Sequence, residues 1–271
     1  MTALGRSAAA ELVRLGGRRG PLLLASLPLG LLLPLLVSLA VAAVAETLHG
    51  DSGDGSAGIG EALIRVREVG TTNSLFWVIS LGVTVHAVVA AYAQSTSTRG
   101  AAGELRRHVL PRTGADLCGR WLVTGIVAGC CSLAATVILL LVLPRVFPGV
   151  YGTVDVASAE GLRFLWAVPA YAVAASGIGV GVGALVRVPA ASVAVLTLWS
   201  LLVESAVTYI PGGAEALGWM PFLNGQYATG QEIALAPAWG PDGALLYVFV
   251  VATVLVGLGA VRLRAGQKIE L

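Results

Sequence analysis

Six long apolar runs punctuate the chain: Pro21–Ala45, Ser74–Tyr92, Trp121–Leu143, Phe164–Val186, Ala190–Tyr209 and Ala244–Val261. Each is close to the ~20 apolar residues that a helix needs to cross the hydrocarbon core of a bilayer. The pattern predicts an all-α membrane protein with six transmembrane helices, the membrane domain covering residues 21–265 and a short tail covering 266–271. Pro28 and Pro34 lie inside the first run and predict a bend there, since each removes a backbone donor.

Polar stretches between the runs carry patterns of their own. In residues 1–20, Leu4, Ala8, Leu12 and Leu15 recur at helical spacing, and Ser7, Glu11, Arg14 and Arg18 fall opposite. This predicts an amphipathic helix lying flat at a membrane surface, its arginines toward lipid headgroups. Ala43-Val44-Ala45 after Arg18 and Arg19 also has the form of a signal-peptide end. The Pro21–Ala45 run, however, far exceeds the roughly 7–15 residues of a signal core, so it is read as a retained span. In the Glu46–Asn73 connection, Asp51 and Asp54 sit on a glycine-rich tip and are read as solvated, and Ile59–Val69 is read as a short helix. Residues 211–243 contain no Lys or Arg but hold Trp219, Phe222, Tyr227 and Trp239 with Pro221, Pro237 and Pro241. Too apolar for a solvated loop and too broken for a span, this stretch predicts short re-entrant helices with aromatics at headgroup depth; a looser aromatic belt is the other reading.

Composition agrees with the pattern. Hydrophobic residues make up 56% of the chain and charged residues 12%, about half the usual share in soluble domains. The mean hydropathy is +0.85. A net charge of +2 gives no reason to expect nucleic acid as a partner; the placement of the charges says more. With six spans, thirteen of the seventeen Lys and Arg fall on the side of both termini and of the 95–120 loop. The positive-inside rule then places those in the cytoplasm; the plasma membrane is the expected location.

Candidate chemistry is sparse. Cys118, Cys130 and Cys131 form no CxxC and suggest neither a disulfide framework nor a metal site. Lys268 is the only lysine and follows no glycine-rich turn, so the chain has no Walker A loop; ATP hydrolysis, if used, belongs to another subunit. There is no Ser–His–Asp set, HExxH or paired acid within a span. Gly177, Gly179, Gly181 and Gly183 form two interleaved GxxxG pairs, suited to close helix packing within the chain or against a second one. Glu204 lies in the fifth run, where a carboxylate costs roughly 2.5 kcal/mol or more, and is read either as part of a substrate path or gate or as a hydrogen-bonded staple. His86 in the second run is a weaker candidate for the same path.

The 95–120 loop carries Arg99, Arg106, Arg107, Arg112 and Arg120 against Glu104 and Asp116. Within it Ala101–Leu110 predicts a short helix ended by Pro111, with Leu105 and Val109 on one edge. An apolar edge among arginines suits a groove on a soluble partner; binding to lipid headgroups alone is the other reading.

The segment Gly103-Glu-Leu-Arg-Arg-His-Val-Leu-Pro111-Arg112, continuing to Arg120-Trp-Leu122, resembles the cytoplasmic loop of ABC type-2 transporter permeases. Thr197-Leu-Trp199 through Glu204, followed by Trp219-Met-Pro221-Phe222, is similar to the fifth span and outer loop of that family, though Glu104 and Arg120 stand where Thr and Lys are common. The resemblance implies an exporter membrane subunit for an amphipathic or lipophilic substrate such as a drug, lipid or peptide. It implies a second permease chain, surrounding lipid, and cytoplasmic ATP-binding-cassette subunits that carry ATP and Mg; this chain binds no cofactor itself. Coupling would fall to Gly103, Glu104, Leu105, Arg106, Arg107, His108, Val109 and Arg112. A non-transporting anchor or sensor subunit and an intramembrane lipid-modifying enzyme are the alternatives. A His108→Cys variant should react with a membrane-impermeant maleimide from the cytoplasmic face only; reaction from the external face would overturn the charge-based topology.

Overall fold

The computed structural model describes all residues except 1, 16–19, 21, 52–67, 98–112, 208, 212, 234–235 and 270–271. The helix expected at Ala101–Leu110, Arg112 and nearly all of Ile59–Val69 therefore lie outside the described residues. Those described are helices and connections, without a strand.

Six helices are long and apolar enough to cross a membrane: Ala25–His49, Thr71–Ser97, Gly114–Val146, Ala159–Val186, Pro189–Val207 and Gly240–Ala265. They make the chain a multi-pass membrane protein, and they coincide with the six apolar runs. Several overrun those runs at their polar ends. The second helix continues to Ser97 and the third begins at Thr113, so the connection between them is shorter than the 95–120 loop. Hydropathy marks the hydrocarbon slab, whereas a helix stops only where its hydrogen-bond ladder does.

Three spans contain wider π-helical turns: Leu22–Leu32 in the first, Val78–Gly82 in the second and Trp199–Val203 in the fifth. Pro28 lies in the first of these. A proline removes one ladder bond and crowds the preceding turn, and a π-turn is one way to make room.

The fourth span is the centre of the bundle and packs against the second, third and sixth. Its most apolar window is 72% buried, against 22% for the fifth span. Glycines make the difference. A Cβ on Gly179 would lie 2.0 Å from the Ala87 carbonyl oxygen, and one on Gly183 would lie 2.5 Å from that of Ala91. A Cβ on Gly177 would meet the Trp121 ring at 2.4 Å, and one on Gly181 the Leu255 side chain at 2.5 Å. The four thus face the second, third and sixth spans of the same chain. The Trp121 indole N–H donates to the Val173 carbonyl at 2.8 Å, fixing the ring in that contact. The span ends at Arg187, whose left-handed φ of 62° turns the chain into the fifth span at Pro189.

The N-terminal helix Ala3–Leu15 lies on the third span in the opposite sense to the sequence reading. Ser7 and Glu11, the polar stripe expected toward headgroups, are buried against that span, while Leu12 and Val13 are exposed. Gly119 allows the approach, since a Cβ there would fall 2.8 Å from the Ser7 Oγ. An amphipathic pattern identifies two faces but not which meets protein; here the third span offers partners to Ser7 and Glu11, Ala8 packs near Val89, Ala93 and Val123, and Leu4 and Leu12 are exposed.

Gly179→Val should lower the thermal unfolding midpoint sharply or prevent folding, because overpacking costs about 1–3 kcal/mol even where neighbours yield, and a backbone carbonyl yields little. Gly257→Val, with nothing within 4 Å of its added Cβ, should leave the midpoint nearly unchanged in the same detergent-based melt.

Candidate functional site

Three features stand out, one at the arginine-rich end of the bundle, one at the opposite end, and one along its side.

At the arginine-rich end Arg120 is fully buried. Its guanidinium pairs with the Glu11 carboxylate of the N-terminal helix and donates to the Gln94 side-chain oxygen and the Ser97 hydroxyl at the end of the second span. Glu11 is equally buried. Ser7 adds a hydrogen bond to Asp116 at 3.1 Å. One cation therefore ties together three elements: the N-terminal helix, the end of the second span and the start of the third. A planar guanidinium suits this because it offers donors in several fixed directions at once.

At the opposite end sits the helix Pro221–Thr229, here called the cap helix. Its N-terminus is held by Glu204, whose carboxylate accepts from the backbone N–H of Phe222 at 3.0 Å and of Leu223 at 2.7 Å. The Trp199 indole N–H donates to the same carboxylate at 2.9 Å. The C-terminus is held by Arg163, which donates twice to the Ala228 carbonyl, at 3.1 and 2.9 Å, and pairs with Asp242 of the sixth span at 2.7 Å. A carboxyl acceptor at the N-terminus and a cation at the C-terminus meet the unpaired donors and acceptors that a helix leaves at its two ends. In between, Tyr171 donates its hydroxyl to the Phe222 carbonyl at 3.2 Å, and its ring occupies the space beside Gly225, where a Cβ would lie 1.9 Å away. Trp239 donates to the Asn224 side chain at 2.9 Å, and Tyr247 to the Trp219 carbonyl at 2.7 Å. Glu46 repeats the device on a smaller scale: it accepts from the N–H groups of Gly149 and Val150 at 2.8 and 2.9 Å, just after Pro148. In both places proline occupies the first helical position, where it has no donor to lose, and a carboxylate takes the next two donors.

Along the side, the first, second and fifth spans enclose an apolar cavity of about 530 Å³. Leu29, Leu81, Val85, Val88, Val193 and Leu201 are among its lining residues, with Thr84, Thr197 and Tyr92 as the polar contributors. Among the described residues, no charged one lines it. Such a space accepts an apolar chain or ring system and can offer it a few hydroxyls.

His86 is buried with its ring against Gly30, and it is not among the residues lining the cavity. Its Nε2 has no hydrogen-bond partner among the described residues. Glu204 follows directly on the π-turn of the cavity-lining fifth span, but its carboxylate is spent on the cap helix and on Trp199. The eight coupling candidates, from Gly103 to Arg112, fall outside the described residues. No group of three or more metal-ligating side chains occurs among the described residues.

Sequence reading counted Arg120 as one loop arginine among five, placed Glu11 on the polar face of the N-terminal helix, and gave Gln94, Arg163 and Glu46 no site role. A signal was present for the carboxylates: each cap pairs an acid at the end of an apolar run with a later Pro that opens a short helix. Nothing in spacing alone announces the Arg120 cluster, since its members are 26 and 109 residues apart.

No protein-family model, no curated protein and no solved structure matches the chain.

Arg120→Met should destabilise the protein by about 3–5 kcal/mol, because it leaves the Glu11 carboxylate buried without its guanidinium. Adding Glu11→Met should recover much of the loss, a double-mutant comparison readable by chemical denaturation in mixed micelles.

Proposed function

We propose that this chain is the membrane permease subunit of an ATP-binding-cassette exporter. In this reading two permease chains, identical or related, carry an amphipathic or lipophilic substrate across the plasma membrane. Separate cytoplasmic ATPase subunits bind ATP and Mg and press on the 95–120 loop. The observation that carries the reading is the uncharged lateral cavity between the first, second and fifth spans. An intramembrane enzyme would need reactive groups in such a space, and an anchor subunit would need no such space at all.

Other features support it. The loop between Ser97 and Thr113 holds Arg99, Arg106, Arg107 and Arg112, enough cationic surface to orient a soluble partner. The second and third spans that emit this loop are joined beneath it by Arg120, so a force on the loop meets a stiff base. Leu105 and Val109 would seat in a groove of the ATPase, with Arg106, Arg107 and Arg112 around them. ATP-dependent differences in how tightly that groove binds the loop would then bias the permease between its two open states.

Purification of the tagged chain from its native membrane should recover a P-loop ATPase in stoichiometric amount. In that complex Leu105→Asp with Arg106→Glu should abolish substrate-stimulated ATP hydrolysis and leave the permease folded. Recovery of a non-ATPase partner instead would make the chain an anchor or sensor subunit. Unchanged stimulation in the double variant would remove the coupling role from the loop.

A further inference from the structure

The fifth span forms one wall of the cavity, through Val193, Thr197 and Leu201, yet it is shallowly packed, with 22% of its apolar window buried. The cap helix is rooted elsewhere: Tyr171 and Arg163 bind it to the fourth span, and Asp242 and Tyr247 link it and its flanks to the sixth. Between this fixed body and the loosely packed wall stands Glu204. It follows the π-turn Trp199–Val203, a geometry that re-aims the residues after it, and its carboxylate reaches across to the N–H groups of Phe222 and Leu223. Trp199, one turn earlier, donates to the same carboxylate and holds it in place.

We propose that Glu204 is a positioning residue that ties the lightly buried wall of the cavity to the cap helix, so that this wall keeps its place against the second span while the tie holds. This rests on the permease reading for its purpose but not for its measurement. Leu201 and Glu204 lie within one turn of each other on the same span, so a displacement of the wall at Leu201 strains the carboxylate contacts directly. Two of the three hydrogen bonds on this carboxyl group, from Phe222 and Leu223, cross from the fifth span to the cap helix, while the one from Trp199 stays within the span and orients the group. The two crossing bonds are short-range, so a small separation releases both together. Release requires no rearrangement of the fourth and sixth spans, whose contacts to the cap helix are made by other groups.

The test uses the full chain with Cys118, Cys130 and Cys131 replaced by alanine, in lipid nanodiscs that expose both faces. Spin labels at Leu202 and Gln226 report the separation of the fifth span from the cap helix, and labels at Leu162 and Gln226 report that of the fourth span. In Glu204→Ala the first distance distribution should widen while the second stays narrow. A cysteine at Leu81, in the cavity wall on the second span, should react about tenfold faster with a polar maleimide, as loss of the hydrogen bonds to the cap helix lets the fifth span move off the cavity. A purely structural role would lower the unfolding midpoint and alter both distance distributions or neither. If Glu204→Ala does not fold, Leu223→Pro removes one of the two backbone donors and spares the carboxylate, and it should give the same selective widening to a smaller degree. Folded variants in which the Leu202–Gln226 distribution stays native, or in which the Leu162–Gln226 distribution widens equally, overturn the proposal. Because no ATPase takes part, its failure is separable from that of the transport reading.

Discussion

The fourth span can be buried on three sides only because it lacks side chains where its neighbours come nearest. At Gly179 and Gly183 the contact is with carbonyl oxygens of the second span, closer than any Cβ permits. In lipid no hydrophobic effect draws helices together, so packing contact and buried hydrogen bonds must do so, and contact grows as backbones approach. The other spans take their places around this one. The third is seated by Trp121, which fills the space beside Gly177, and the sixth by Leu255 against Gly181. The fifth has the shallowest seat together with the first, and these two flank the cavity with the second.

Charge then stabilises the ends of the bundle. Each buried ion in the described structure is met by donors or acceptors that low dielectric makes strong and that would be costly to leave unmet. Arg120 meets Glu11, Gln94 and Ser97; Glu204 meets a helix N-terminus; Arg163 meets a helix C-terminus. These contacts connect elements remote in sequence and define a stiff floor and a stiff cap. Between them lies a side wall held less firmly. Hydrogen-bonded ends and one lightly buried wall are compatible with the proposed role of the chain.

The glycines, the acids and the prolines repay comparison with what spacing alone implied. Gly177 to Gly183 signalled close packing, but a one-dimensional pattern leaves open whether the neighbour belongs to the same chain; the structure seats all four within it. Glu204 stood between a substrate path and a staple. Its three hydrogen-bond partners make it a staple in the described structure, one placed on the wall of a cavity. The reversed N-terminal helix shows the same limit, since Ser7 and Glu11 chose buried partners over headgroups.

Six apolar helices, the asymmetric placement of arginine and the absence of a nucleotide-binding loop were all determined by the amino-acid sequence itself. Solvation by lipid is a local requirement: each run of about twenty apolar residues satisfies it alone, whatever its neighbours do. Which helix lies at the centre, where the cavity opens, and which charges meet were decided only in the tertiary structure. Those outcomes depend on distances between residues far apart along the chain, such as Glu11 and Arg120, and no local pattern carries that information.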